Sequence, residues 1–411
     1  MDYEKIRKHS ALVKTAALVI FAAAIFFTIY KKPEISQELA EYYRETDFTV
    51  YGGAGVETAW GLAKYPGGYI GAADTASFGA GRSDFYLMLF DNELNLVKTR
   101  TFGTPANESM IAAVPDGKGG YIMAGGTDRG KYGESDGYVV RADSDGMQAW
   151  DAYFGGGNHD YLYSVCEAGK GAFVAAGYSS SFNLEKNSDG YLVKFDLDGN
   201  IIWERTYGRD GWDIFYKVIP LKNGDFLAAG YTTSAGKGRS SMYIVRTDPV
   251  GKPRWAHTIG DVRDDRAVSL LESQDGGLLV LSNSTSYIAR GFGWDIVLIK
   301  TDENLNPLWS KVFPACEAEP GASLIENPDG SIVFAGVKKC YGVCIQNGYV
   351  VKTDRDGEMI WQRIFAGPAN DRVNGIAKTN TGYALFGTTM SKGANGDIFM
   401  LAIDENGEMA E

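Results

Sequence analysis

Carboxylates at a fixed spacing are the most frequent chemical groups in this chain. Asp91, Asp143, Asp196, Asp248, Asp302, Asp354 and Asp404 follow one another at steps of 52, 53, 52, 54, 52 and 50 residues. Two further sets keep the same period. One is Asp160, Asp213, Asp265 and Asp371, with Glu57 and Glu108 at equivalent places; the other is Asp84, Asp136, Asp189, Asp295 and Asp397. A general acid–base pair would occur once, whereas a carboxylate present in nearly every unit is expected to accept hydrogen bonds in a turn or cap. Calcium is the other chemistry on offer, because D-x-D-G recurs at Asp143, Asp196 and Asp354. An EF-type loop needs glycine at its sixth position and an acid at its twelfth. Counted from Asp196, those places hold Ile201 and Tyr207. No metal is expected.

Few groups break the period. Lys217 stands in a column otherwise made of Gly61, Ala112, Ser164, Ser269, Ser323 and Gly375, four residues after the acid that opens each unit. A lone ammonium there could bind an anion, with Arg266 and Arg372 near the rim; it could also snorkel into water or pair with a neighbouring acid. Beyond His9, the histidines are His159 and His257, which build neither a His-rich metal site nor a Ser-His-Asp triad. No Walker loop or dinucleotide fingerprint stands in a strand-to-helix context, and no cofactor is expected.

The elements that position these residues are copies of one unit, seen most cleanly from Asp189 to Ser234. Apolar alternation, β-branched and aromatic residues, and Gly/Asp turns divide it into four short strands. In one copy these are 213–221, 225–233, 241–248 and 253–260, labelled A to D from the axis outward. Seven such copies predict an all-β fold, a seven-bladed β-propeller of four-stranded antiparallel blades over residues 47–411. Trp150, Trp203, Trp255, Trp309 and Trp361 each follow a strand C aspartate by seven residues and are expected to pack between blades. Blade 1 has Lys98 at that place. The chain reaches Glu411 as the seventh strand D begins, and 47–53 (DFTVYGG) matches the end of a strand D. That segment is therefore expected to pair onto the last blade, closing the ring and removing open sheet edges.

Antiparallel order puts the B–C and D–A loops on one face, where the least repetitive loops lie: 179–188, 284–294 and 338–347. Variable loops on a constant scaffold are where binding resides. Tyr287, Phe292, Trp294 and Tyr341, with Phe182, are candidate aromatic anchors, and ordinary loop packing is the alternative for each. Cys166 reads as a buried small hydrophobe in strand A of blade 3. Cys316, Cys340 and Cys344 fall in loops on the shared face, so a disulfide among them is expected outside the cytoplasm, its pairing open.

The order of a GG-containing loop, an acid, strand A, a DGG turn, an AAGYT-like strand B, D-x-YLVK-x-D and G-x-x-x-W resembles the seven-bladed β-propeller repeat proteins of bacterial and archaeal cell envelopes. The resemblance spans 47–411 and implies fold rather than function, since this repeat sits in many unrelated surface proteins. G-x-x-x-W also looks like the Trp motif of quinoprotein propellers, which typically have eight blades.

Residues 1–46 are a different kind of sequence. Lys5, Arg7, Lys8 and Lys14 precede an uncharged run, Thr15–Tyr30, which Lys31 and Lys32 close. The reading is a cytoplasmic basic segment (1–14), one transmembrane signal anchor (15–32) and a helical spacer (33–46), with the amino terminus inside and the propeller outside, at the cell surface or in the periplasm. A cleaved signal peptide is the alternative. The chain's formal charge is −12, while its first 46 residues hold seven Lys/Arg against six Asp/Glu. The remainder is thus more acidic than the whole and repels phosphate backbones, so nucleic acid is not an expected partner.

The expected role is a membrane-anchored, non-catalytic scaffold that binds a protein or glycan through its B–C/D–A face. The alternatives are a structural spacer or envelope-assembly factor, and a propeller enzyme (a polysaccharide lyase or hydrolase, or a quinone-dependent dehydrogenase). An enzyme should show an unrepeated group of acids, His, Tyr or Arg converging at the axis.

Overall fold

Turn residues cut each repeat into runs of β-branched, aromatic and small apolar residues, and each run becomes a strand. The computed structural model describes residues 43–45, 48–183, 187–286, 293–313, 323–339, 345–393 and 395–409. Its strands form seven separate antiparallel sheets in chain order around an axis, so the chain is a seven-bladed β-propeller. In blade 4, strand A is Asp213–Pro220, B is Phe226–Thr232, C is Ser241–Thr247 and D is Pro253–Ile259. The A strands of successive blades touch one another about the axis.

Both ends build the last blade. Val50–Tyr51 pairs antiparallel with Asp397–Asp404, placing Val50 opposite Phe399 and Tyr51 opposite Ile398. Met409 bridges to Ile403 on the same strand. Tyr43–Glu45, within the stretch expected as a helical spacer, is instead a three-residue strand at the outer edge of blade 6. The expected membrane span, 15–32, lies outside the described residues.

The core lies between sheets rather than inside one. Its buried clusters each draw on two neighbouring blades: one joins Leu87 and Phe85 to Met123 and Tyr138, another joins Leu192 and Trp203 to Phe215 and Phe226. Strands B and C are therefore covered on both faces. In Gly68–Thr75, Leu278–Ser284 and Gly382–Thr389 every residue is buried, and the alternation expected from the sequence persists best at the start of A strands such as Glu57–Tyr65 and Asp160–Glu167.

Candidate functional site

The three carboxylate columns are absorbed by the scaffold. All seven strand C aspartates, Asp91, Asp143, Asp196, Asp248, Asp302, Asp354 and Asp404, accept the backbone N–H groups two and four residues on. These are Asx turns, each closed on Oδ1. The acids that open strand A are buried and hold three segments together. Asp371, for example, accepts from Thr389 Oγ1 (2.5 Å), Ser391 Oγ (2.7 Å) and the Gly367 N–H (2.7 Å). Their own N–H groups cross to the preceding blade, as from Glu108 to Ser83 O (2.8 Å) and Asp160 to Ser135 O (2.9 Å).

On the opposite face the tryptophans join blades. Trp150, Trp203 and Trp361 donate their indole N–H to the carbonyls of Leu197, Pro249 and Glu405, each in the C–D turn of the next blade, at 2.9, 3.2 and 3.0 Å. Glycine permits the contact: a Cβ on Gly251 would lie 3.0 Å from the Trp203 ring, and one on Gly357 2.7 Å from that of Trp309. Trp255 packs with Leu305, which occupies the equivalent turn position in blade 5. Lys98, in the tryptophan's place in blade 1, reaches the Asp145 carbonyl at 3.0 Å.

The axis is built by a repeated irregularity. Register slips one residue in strand A between Ala59 and Gly61, Met110 and Ala112, Leu162 and Ser164, Phe215 and Lys217, Ala267 and Ser269, and Val373 and Gly375. Such bulges re-aim side chains. The extra residues, Trp60, Ile111, Tyr163, Tyr216, Val268 and Asn374, all line an axial cavity of about 530 Å³. Lys217 lines it too. Protein surrounds this lysine, yet it is only half-buried by exposed area because its side chain looks into the channel. Burial lowers its pKa below the ordinary lysine value, opposed by the Cys166 thiol on the adjacent strand A. Cys166 itself is buried and free, its pKa pushed up by burial to about 12.

Above the cavity, at the B–C/D–A mouth, lies an arc of rings. Tyr161 and Tyr163 are 4.9 Å apart between centroids, Tyr163 and Tyr216 5.2 Å, and Tyr216 and Tyr231 5.8 Å. Tyr178 stacks on Tyr161 at 6.3 Å. Arg266 continues the arc, its guanidinium 4.6 Å from the Tyr231 ring and 5.0 Å from that of Trp294. Burial raises the hydroxyl pKa of all five tyrosines, so they stay protonated donors at neutral pH. Across the mouth Asp74 accepts from Trp60 Nε1 (2.6 Å), Ser109 Oγ (2.7 Å) and the Met110 N–H (2.6 Å). It is 8% exposed, and burial pushes its pKa up to about 7 against those three donors.

The structure thus separates residues that the sequence reading grouped. Arg266 stacks at the mouth, Lys217 lies two register positions deeper, and Arg372 is tied by its Nε to Gln346 Oε1 at 2.8 Å. Tyr287, Phe292, Tyr341, Cys316, Cys340 and Cys344 lie outside the described residues. Asp74, Asn374 and the tyrosine arc were missed. For Asp74, Tyr178 and Tyr231 a signal was available in the column just before the end of strand B, which reads Asp74, Gly126, Tyr178, Tyr231, Asn283, Lys338, Thr388 and has no consensus residue.

No family model matches the chain. Over 179 residues it is 24% identical to the regulatory protein FlaEY of Caulobacter vibrioides, a match that takes in 38% of this chain and 19% of that protein. Among solved structures, it is similar to a PL25 ulvan lyase bound to a GlcA–Rha3S saccharide, with TM-score 0.56 and 9% identity over 88% of this chain and 96% of that one. It is also similar to puromycin hydrolase, with TM-score 0.52 and 14% identity over 86% of this chain and 54% of that one. At these identities the likeness is one of fold.

Proposed function

We propose that this chain is a glycan-binding propeller, held to a membrane by residues 15–32, that binds through its B–C/D–A face. The observation that carries the reading is the Tyr231–Arg266–Trp294 stack at the mouth of the channel. Flat aromatic faces suit the C–H faces of a sugar ring, while guanidinium and phenol donors suit its oxygens. Phe78, Tyr132, Phe182 and Trp212, each roughly half-exposed, lie in loops of the same face and extend the platform. The full chain on a glycan array should retain a defined set of saccharides, and Arg266→Ala and Trp294→Ala should each weaken retention at least tenfold. Unchanged retention by both variants would remove the mouth from consideration. Periplasmic or cell-surface labelling of residues in 47–411 tests the orientation of the anchor; labelling only after lysis contradicts it.

A second reading is favoured by one group. Asp74, titrating near neutrality beside Tyr161, is an unrepeated acid at the axis, as a polysaccharide lyase or hydrolase would need. Release of shorter products from the retained saccharides by the wild type, lost in Asp74→Asn, would make the chain an enzyme.

A further inference from the structure

The wall of the axial cavity carries two polar groups with no partner among the described residues. No hydrogen bond or ion pair from the described residues reaches the Lys217 ammonium, although it lies deep between the A strands. Asn374, on the wall of the same cavity and 5% exposed, has a buried Oδ1 with no hydrogen-bond partner. Buried polar groups are ordinarily paired, and an ammonium facing a narrow channel favours an anionic partner. Ser164 is half-used: its oxygen accepts the Val218 N–H at 3.2 Å, leaving its proton to donate into the channel. The rest of the wall is mixed, with the hydroxyl-bearing Ser109, Tyr163, Tyr216 and Ser269 beside Ile111, Val268 and Leu270.

We propose that this cavity binds a small hydroxylated organic carboxylate, of monosaccharide size, with its carboxylate on Lys217 and a hydroxyl donating to Asn374 Oδ1. The charge count selects a monoanion, since Lys217 is the one cation among the cavity-lining residues described. The mixed wall selects a hydroxylated organic body over a bare inorganic ion, since the aliphatic surfaces suit carbon and the wall hydroxyls suit ligand oxygens. Asn374 selects a ligand with a hydroxyl donor. A volume of about 530 Å³ falls within the range of small-molecule sites and exceeds what an acetate-sized ion would fill. Free sugar acids and the acidic terminal residue of a glycan share this chemistry. The site rests on the channel wall, not on the stack at the mouth, so a blank glycan array does not touch it.

The direct test is chemical. The full chain is treated with an amine-acetylating reagent, and the rate at Lys217 is read by mass spectrometry with D-glucuronate, glucose, sulfate or a glucuronate-terminated oligosaccharide present. Glucuronate should slow acetylation of Lys217 at least tenfold, and glucose and sulfate should not. Protection by the oligosaccharide alone would identify the glycan end as the source of the same acid and also supports the site. Calorimetry should show glucuronate binding weakened at least tenfold in Lys217→Met and several-fold in Asn374→Ala. An unchanged acetylation rate with saturating glucuronate and oligosaccharide overturns the proposal, as does equal protection by glucose. Wild-type affinity in Lys217→Met overturns it too. If that variant fails to fold, the acetylation measurement on the natural protein still decides.

Discussion

Asp74 is a carboxylate whose folded environment resists its charge. Burial raises its pKa to about 7 from an ordinary value of 3.8, so between those limits the native state keeps a proton that the unfolded chain releases. A native state that binds more protons than the unfolded one loses stability as pH rises. The contribution of Asp74 is therefore full below pH 4 and gone by pH 7. In Asp74→Asn the amide has no such titration, whatever constant offset it brings. Urea unfolding of both proteins from pH 4 to pH 8 should show the wild type losing up to roughly 4 kcal/mol relative to the variant as pH rises. A flat difference, or one of opposite sign, would mean the carboxylate is ionised throughout. Asp74 could not have been found as an acid pair, because its partners are an indole, a hydroxyl and a backbone N–H. It could have been found as the one acid in its column. Lys217 was visible in just that way, and the structure places it on the cavity wall.

The strand that most needs explaining is D, which outside blade 6 has a neighbour on one side only. Its tryptophan leans across to the next blade's turn, and Trp203, 8% exposed, packs against Phe226 there at 6.4 Å between centroids. Removing such a ring leaves a cavity and an unpaired carbonyl together, so Trp203→Ala should destabilise by about 3 kcal/mol. Lys98 makes the same reach with a flexible amine, its Nζ also 3.9 Å from the Asp145 carboxylate, and its side chain is 28% exposed. Lys98→Ala should then cost less than about 1 kcal/mol. Thermal and denaturant midpoints of the two variants check the ordering; equal losses would show that the indole adds nothing beyond its hydrogen bond. The Trp spacing was plain in the sequence because the period repeats it. The strand A bulge was not, since a register slip depends on how two strands pair and leaves no mark in either alone. That slip is what turns Trp60, Tyr163 and Tyr216 onto the axis, and the aromatic channel was hidden with it.

A ring of seven sheets stores its stability in its seams, and six of the seven are joined by continuous chain. The seventh depends on the short strand Val50–Tyr51 lying along Asp397–Asp404. Around it Phe48 packs on Phe399 with ring centroids 4.8 Å apart, Asn395 Nδ2 donates to Ala54 O at 2.9 Å, and the Glu57 N–H donates to Gly396 O at 2.9 Å. This latch was legible because the two chain ends carry complementary fragments of one repeat, which only a closed ring can use. Opening it would expose a full strand edge, and such edges pair with other chains. Replacing Phe48–Tyr51 by Gly-Ser-Gly-Ser should therefore do more than fray one strand. Lost ring packing and ladder bonds should cost about 3 kcal/mol, and the exposed Asp397–Asp404 edge should drive association that light scattering detects. The same replacement in Ile201–Glu204, an outer strand within an unbroken stretch, should lower stability without association, because blade 3 remains tethered on both sides. If both replacements leave a monomer, the ring is held by its blade-to-blade packing and the latch only trims its edge.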